Sequence, residues 1–451
     1  MSTTVDRSRL KALMARETAS FVRTHPKSAA LFRKARRSMP GGVPMNWMSK
    51  WPGGFPLFVS RAQGARFTDA DGHAYVDLCL GDTGAMTGHA PPAAVQAIRS
   101  RLDRGLTAML PTEDALAVSA ELKRRVGLPY WQFALTATDA NRFSLRLARL
   151  VTGRPKILVF NYCYHGTVDE AFITLKDGKP ARRRGNIGPP VDPALTTKVV
   201  EFNDLPALKA ALAPGDVAAV LAEPALTNVG IVAPAPGFHR ALRALTRKAG
   251  TLLILDETHT ICAGPGGCTR EWKLSPDFWV LGKPIGSGIP AAAYGFTAEV
   301  ARRAQELIRV EDCDVGGIGG TLAANALSMA AMRVTLEKIL TPAAFRRMDA
   351  TAARFTSGVS EAIQEAGVGW HVTRLGCRAE YLFHETPPRN GGEAAAAADF
   401  ELERFMHLYS LNRGVLLTPF HNMALMSPAT TNADVDRHTS IFRSALVELL
   451  A

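Results

Sequence analysis

Short apolar runs alternate with amphipathic segments through the middle of the chain. The runs cover residues 131–135, 156–160, 217–222, 251–255 and 278–281. Strands that alternate with helices are typical of a largely parallel sheet covered by helices on both faces. The pattern therefore predicts an α/β domain.

Before these runs, the pattern predicts a helical segment followed by a hairpin. Residues 8–38 are basic and have helical periodicity, and Pro40-Gly41-Gly42 ends them with a turn. Residues 65–68 and 75–78 alternate as strands do, and the turn residues 69–72 join them.

After about residue 335 the pattern changes to long helices around short strands near 369–383 and 414–426. We therefore expect three parts. They are an N-terminal arm with a substrate-side segment at 1–62, a large domain at 63–335 and a smaller α+β domain at 336–451.

Composition narrows the class of protein. Hydrophobic residues make up 47% and charged residues 21%, as in ordinary globular domains. No apolar run reaches the roughly 18 residues of a membrane helix, and no signal peptide is visible, so we expect a cytoplasmic protein. The net charge of +12 forms no basic stripe, and the six cysteines form no CxxC pair or zinc-ligand spacing. We therefore predict neither a nucleic-acid partner nor a metal.

Two segments carry the candidate chemistry. The apolar run at 252–255 ends in Asp256-Glu257, and the run at 278–281 is followed by Gly282-Lys283. An acid at the carboxyl end of a parallel strand lies where such sheets bind ligands, although an aspartate there also commonly caps a helix. Lys283 stands among small residues and is either close to a ligand or simply solvated. Each segment alone leaves its alternatives open.

Together these segments resemble the class III aminotransferases, pyridoxal-phosphate enzymes of fold type I. The group includes glutamate-1-semialdehyde aminomutases and omega-transaminases. Lys283 follows Asp256 by 27 positions, with Pro276-Asp277 between them at the family's spacing. The resemblance implies that residues 63–335 bind pyridoxal phosphate. Further matching motifs extend over most of the chain: Pro40-Gly41-Gly42, Gly88-His89, Tyr164-His165-Gly166 and Gly320-Thr321.

The resemblance implies a role for each matching residue around the cofactor ring. Lys283 should form the internal Schiff base and, once released, shuttle the substrate proton. Asp256 should pair with the pyridine nitrogen and keep it protonated. Tyr164 should stack on the ring beside His165. Glu223, at a strand end, should help order the site, although a structural role is an equal alternative.

The phosphate is expected at Thr136, Ala137 and Thr138, where a strand turns into a helix. A simple helix cap is the alternative. Ala137 replaces the family's usual glycine, and because alanine resists a positive φ it puts the loop conformation in doubt. Thr321 matches a residue that relatives supply to the neighbouring subunit, which implies a homodimer with shared active sites.

The substrate side departs from the aminomutase pattern. Aminomutase relatives have an arginine for the substrate carboxylate shortly after the Pro-Gly-Gly turn, where this chain has Trp47 and Met48. Arg378 is a possible replacement, although an ion pair with Glu380 is an equal alternative. Trp47, Met48 and Phe420 predict an apolar substrate pocket. Arg378 is the one residue in it that is expected to bind a substrate carboxylate.

This pocket favours a transaminase. We expect an amine or a β- or ω-amino acid to donate its amino group to a keto acid such as pyruvate, through pyridoxamine phosphate. Glutamate-1-semialdehyde should then be a poor substrate. The alternatives are an aminomutase, or a racemase or decarboxylase of the same fold. From other classes, a non-catalytic cofactor-binding protein remains open. A nicotinamide-dependent oxidoreductase is disfavoured because the glycines at 282–288 follow a late strand.

Overall fold

The computed structural model describes residues 5–308, 316–419 and 421–451. Its α-helices are, in chain order, α1 (Arg7–Thr24), α2 (Pro26–Ala35), α3 (Pro92–Leu102), α4 (Glu113–Val126), α5 (Ala137–Thr152), α6 (Pro193–Thr196), α7 (Leu205–Leu212), α8 (Phe238–Ala249), α9 (Gly267–Glu271), α10 (Ala298–Leu307), α11 (Ala326–Val334), α12 (Pro342–Ala366), α13 (Gly391–Ala396), α14 (Phe400–Leu411) and α15 (Asn432–Leu450). Its strands are β1 (Val59–Gln63), β2 (Arg66–Asp69), β3 (Ala74–Asp77), β4 (Tyr130–Ala134), β5 (Lys156–Phe160), β6 (Ile173–Lys176), β7 (Lys179–Arg182), β8 (Thr197–Val200), β9 (Val217–Ala222), β10 (Leu252–Asp256), β11 (Phe278–Leu281), β12 (Ala292–Phe296), β13 (His371–Leu375), β14 (Arg378–Leu382), β15 (Val415–Leu416) and β16 (Met423–Leu425).

A seven-stranded sheet forms the core of one compact unit, made of residues 92–345 and 388–396. Its strand order is β4-β12-β11-β10-β9-β5-β8, and β12 runs antiparallel to both of its neighbours. Every side chain of β9 and of β11 is buried, so both faces of the sheet are covered. The predicted α/β fold with a mostly parallel sheet is confirmed.

A second compact unit is made of residues 5–91, 346–387 and 397–451, and so combines N-terminal and C-terminal parts of the chain. It contains a four-stranded sheet, β1-β2-β3-β15, and a three-stranded sheet, β13-β14-β16. The predicted hairpin is present as β2 and β3, and β15 pairs in parallel with β3. The predicted functional limits at 62/63 and 335/336 stay predictions.

The basic N-terminal stretch forms two helices. The chain leaves α1 at His25, whose backbone is not helical, and enters α2 at Pro26. Proline is favoured at the first position of a helix but disfavours a helical conformation at the preceding residue. The single predicted helical stretch therefore breaks at this point.

Among the helices of the described residues, none is both long enough and apolar enough to span a membrane.

Candidate active site

The carboxyl ends of β9, β10 and β11 lie side by side at one edge of the main sheet. Asp256, the last residue of β10, pairs with Val280 of β11. Glu223 directly follows β9, and Lys283 comes two residues after β11. Since these three strands are parallel, their terminal residues meet at the edge where such sheets bind ligands.

Asp256 is a buried carboxylate that accepts several hydrogen bonds. Its Oδ2 accepts from Asn141 Nδ2 at 2.8 Å and lies 3.0 Å from His165 Nδ1. Its Oδ1 accepts from the backbone N–H of Thr258 at 3.0 Å. Burial alone would raise the pKa of Asp256, but these hydrogen bonds, led by that of His165, hold it below its usual range. The side chain therefore stays ionised.

His165 is fully buried beside that carboxylate. Burial alone would lower the pKa of its imidazole, but Cys163 and Asp256 outweigh burial and raise the pKa of His165 to about 10. Near neutral pH the pair is therefore an imidazolium and a carboxylate. A charged pair of this kind is stable in the interior only when additional hydrogen bonds hold it, as Asn141 does here.

Two glycines let the loops after β5 and β11 approach the first turn of α5. A Cβ on Gly166, whose φ is +75°, would lie 2.1 Å from Thr138 Oγ1. A Cβ on Gly282 would lie 2.8 Å from the Cβ of Ala137. A side chain at either position would have to displace Thr138 or Ala137, so both loops converge on the amino end of α5.

Lys283 begins a short helical turn in a conformation that is unusual for a side chain of its size. Its φ is +45°, in the left-handed region, which costs about 1–3 kcal/mol and is found mainly at functional sites. Its Nζ lies 2.8 Å from His259 Nε2. Backbone geometry and this contact together set the direction of the amine.

The amino end of α5 is capped by its own residues. Thr136 Oγ1 accepts from the backbone N–H of Asp139 at 3.1 Å and donates to its carboxylate at 2.8 Å. Thr138 Oγ1 accepts from the backbone N–H of Thr167 at 3.1 Å. Ala137 is the first helical residue and is not among the residues with positive φ, so it needs no glycine-like conformation. The doubt that Ala137 raised about the loop is resolved.

Two further predicted residues meet beside Asp256. Glu223 Oε1 accepts from the backbone N–H of Tyr164 at 3.4 Å, and its other oxygen accepts from Thr227 Oγ1. Burial raises the pKa of Glu223. Tyr164 is half-buried, with its ring edge-on to Phe172. Thr321 is exposed in a turn before α11.

The predicted substrate-side residues belong to the other unit. Trp47 and Met48 line a cavity of about 420 Å³ whose walls are mostly apolar. Arg378 is fully buried, and its guanidinium lies 3.6 Å from the carboxylate of Glu380, the ion pair that was the alternative to substrate binding. Phe420 lies outside the described residues.

Two residues of the site were missed from the sequence. Asn141 holds Asp256 from the second turn of α5, and His259 contacts the amine of Lys283. Each lies three residues from a predicted one, Thr138 and Asp256 respectively. Helical spacing from Thr138 would have found Asn141, whereas His259 follows a strand and had no such signal.

Comparison with known proteins defines the class. Residues 47–446 match the family described as Aminotransferase class-III. The chain belongs to this family, and the predicted resemblance and fold type are confirmed. As a member of it, the protein is an enzyme that uses pyridoxal phosphate, the predicted cofactor.

Comparison with individual proteins gives more detail than the family match. The chain is 36% identical to a glutamate-1-semialdehyde 2,1-aminomutase of Sorangium cellulosum, over 93% of this chain and 96% of that protein. It is 52% identical, with a TM-score of 0.97, to the crystal structure of a glutamate-1-semialdehyde aminomutase from Pseudomonas aeruginosa PAO1, over 99% of this chain and 100% of that one. A lysine-to-alanine form of that aminomutase is described in complex with PMP. An omega-transaminase from Sphaerobacter thermophilus is 29% identical, over 94% of this chain and 98% of that one, with a TM-score of 0.85.

These similarities overturn the prediction of transamination to pyruvate, which was wrong. That prediction rested on the arginine missing near Met48. Since a substrate carboxylate can be held by other donors, one absent side chain does not decide between two reactions that share the rest of the site.

The described residues fit the cofactor. The ionised Asp256 suits a protonated pyridine nitrogen, and the amino end of α5 suits a phosphate. Within the described part of the chain, one buried atom next to Asp256, Asn141 Oδ1, has no hydrogen-bond partner. A polar ligand in contact with it would satisfy this atom.

Proposed function

We propose that the protein is a pyridoxal-phosphate-dependent 2,1-aminomutase that acts on glutamate-1-semialdehyde. The observation that carries the proposal is its 52% identity, over nearly the whole chain, to an aminomutase of the same fold. The omega-transaminase is only 29% identical over a similar length.

An aminomutase moves an amino group between neighbouring carbons of one molecule, so protons must be moved at two adjacent atoms. Lys283 supports this because its free amine would be a mobile base at the end of a flexible side chain. His259, 2.8 Å from that amine, orients it between proton transfers. The cofactor, when bound, supplies an electron sink for the carbon that loses a proton.

Asp256 would hold a proton on the nitrogen of the bound cofactor, because its lowered pKa keeps it a carboxylate. His165 and Asn141 fix the orientation of that carboxylate. Because these partners are buried and already in place, the site needs little reorganisation when charge develops.

The other roles follow from the family resemblance and are part of the proposal. Thr136, Ala137 and Thr138 bind the phosphate, and Tyr164 stacks on the ring next to Glu223. Thr321 of the partner subunit completes the phosphate site, so the active form is a homodimer. Trp47, Met48 and Arg378 remain substrate-side predictions.

The test is turnover without an amino acceptor. Purified holoenzyme should convert glutamate-1-semialdehyde to 5-amino-4-oxopentanoate, the product of moving the amino group to the next carbon, at a rate that added pyruvate does not change. Lys283→Ala should abolish the reaction. Consumption of the substrate only when pyruvate is present, with alanine formed in equal amount, would refute the proposal.

A further inference from the structure

Three potential metal ligands meet where the N-terminal helices pack on the first hairpin. His25 lies at the junction of α1 and α2, Asp69 ends β2, and His73 precedes β3. His25 and Asp69 are buried, whereas the side chain of His73 is 44% exposed. All three belong to the unit formed by the chain ends, remote in sequence from Asp256 and Lys283.

Two of the three separations between their ligand atoms are close to those around a tetrahedral ion. Asp69 Oδ2 lies 3.5 Å from His25 Nε2 and 3.2 Å from His73 Nδ1, and all three atoms lie within 4.8 Å of one another. A tetrahedral zinc ion with bonds of about 2.0–2.2 Å keeps its ligand atoms roughly 3.3–3.6 Å apart.

Neighbouring groups orient these ligands as they do in metal sites. His25 Nδ1 lies 2.7 Å from the carbonyl oxygen of Phe21, which can only accept, so a proton is on Nδ1 and, in the neutral imidazole, Nε2 is the atom that can bind an ion. The backbone N–H of His73 donates to Asp69 Oδ1 at 2.8 Å and steadies the carboxylate.

The Tyr75 hydroxyl bridges two of the ligand atoms. Its Oη lies 2.7 Å from His25 Nε2 and donates to Asp69 Oδ2 at 3.0 Å. An ion that binds between His25 and Asp69 must therefore turn this hydroxyl aside.

We propose that His25, Asp69 and His73 form a binding site for Zn²⁺ or a similar divalent transition-metal ion. Two imidazoles and one carboxylate are ligands that zinc prefers, whereas Ca²⁺ and Mg²⁺ favour oxygen ligands alone. The exposed side of His73 leaves a fourth position for water. The bound ion fastens the junction of α1 and α2 to the hairpin, where Asp71 already accepts the backbone N–H groups of Lys27 and Ser28.

Direct binding measurements test the site. Untagged holoenzyme, freed of metal by chelator and dialysis, is titrated with ZnCl₂ by calorimetry and with CoCl₂ by visible absorption. We expect one ion per chain and the intense d–d bands of four-coordinate cobalt. His73→Ala is the first variant because the side chain is exposed, and it should weaken binding about 100-fold or more.

A second histidine pair provides the matched control. The rings of His371 and His384 lie 4.7 Å apart in the same unit but have no carboxylate completing a triad among the described residues. His384→Ala should keep the stoichiometry and affinity of the parent. Unchanged zinc affinity in His73→Ala, or octahedral cobalt spectra in the parent, would overturn the proposal.

Thermal unfolding gives an independent readout. Zinc at a hundred times its dissociation constant should stabilise the parent and His384→Ala, and leave the unfolding temperature of His73→Ala unchanged. An equal rise in all three proteins would place the ion elsewhere and overturn the site. Neither measurement uses turnover, so failure here is distinguishable from failure of the proposed aminomutase activity.

Discussion

At the scale of single residues, the pKa values of two buried acids of the candidate site, Asp256 and Glu223, are shifted in opposite directions. Hydrogen bonds hold the pKa of Asp256 below its usual range, whereas burial raises that of Glu223. The carboxylate that we propose for the cofactor nitrogen is thus the one whose neighbours keep it ionised. This difference in environment separates an electrostatic role from a structural one.

Asp256→Asn should retain the cofactor but lower kcat by about 100-fold or more, because the stabilising charge is lost while the shape of the side chain remains. Glu223→Gln is the matched control, since it removes a charge that burial already disfavours, and should cost much less. Steady-state kinetics with cofactor content measured by absorbance provides the check. Equal losses in the two variants would contradict the role of Asp256.

At the scale of elements, the site depends on loops that meet the amino end of α5. Gly166 and Gly282 allow contacts that any Cβ would block. The capping residues Thr136 and Asp139 fix where the helix begins. The geometry of the proposed phosphate site therefore depends on packing between elements as much as on the residues of the loop itself.

Gly166→Ala should weaken cofactor binding at least tenfold and destabilise the protein by about 1–3 kcal/mol, because its Cβ would overlap Thr138. Gly153→Ala, at the other end of α5, is the control. Its φ is +68° but nothing lies within 4 Å of the new Cβ, so we expect about 1 kcal/mol and normal cofactor affinity. Dialysis against cofactor-free buffer and thermal unfolding would measure both. Normal cofactor retention in Gly166→Ala would rule out this packing argument.

At the scale of the whole molecule, two buried histidines make stability depend on pH. Burial lowers the pKa values of His407 and His438 from about 6.5 to about 3. Between these values the unfolded chain binds protons that the folded chain does not. The contribution of these two histidines to stability is therefore complete above pH 6.5 and is lost as the pH falls toward 3, by about 1.4 kcal/mol per pH unit for each histidine.

His438→Phe should reduce the dependence of stability on pH by the contribution of one histidine, about 1.4 kcal/mol per pH unit. His438 packs against Phe355 and Phe442, so an aromatic replacement suits its surroundings. Urea unfolding of the parent and the variant at pH 7 and pH 5 measures the difference. An identical loss of stability in both proteins between these pH values would show that His438 does not contribute.

Local patterns determined much of this protein. Buried strands such as β9 and β11 are continuous apolar runs, and their limits were read directly from the sequence because strands covered on both faces contain few polar residues. The family follows from motifs at fixed spacing, above all Asp256 and Lys283 with Pro276-Asp277 between them. Such spacing is a property of the chain itself.

Tertiary structure alone decided which distant residues meet. Asn141 reaches Asp256 across 115 positions, and His25 reaches Asp69 and His73 from a helix junction. Sequence spacing does not report such contacts because strand register and helix packing create them. For the same reason, the sequence could not decide whether Arg378 binds substrate or is buried in an ion pair with Glu380. Charge states were likewise decided by packing, because a pKa depends on burial and on partners that only the folded chain brings together.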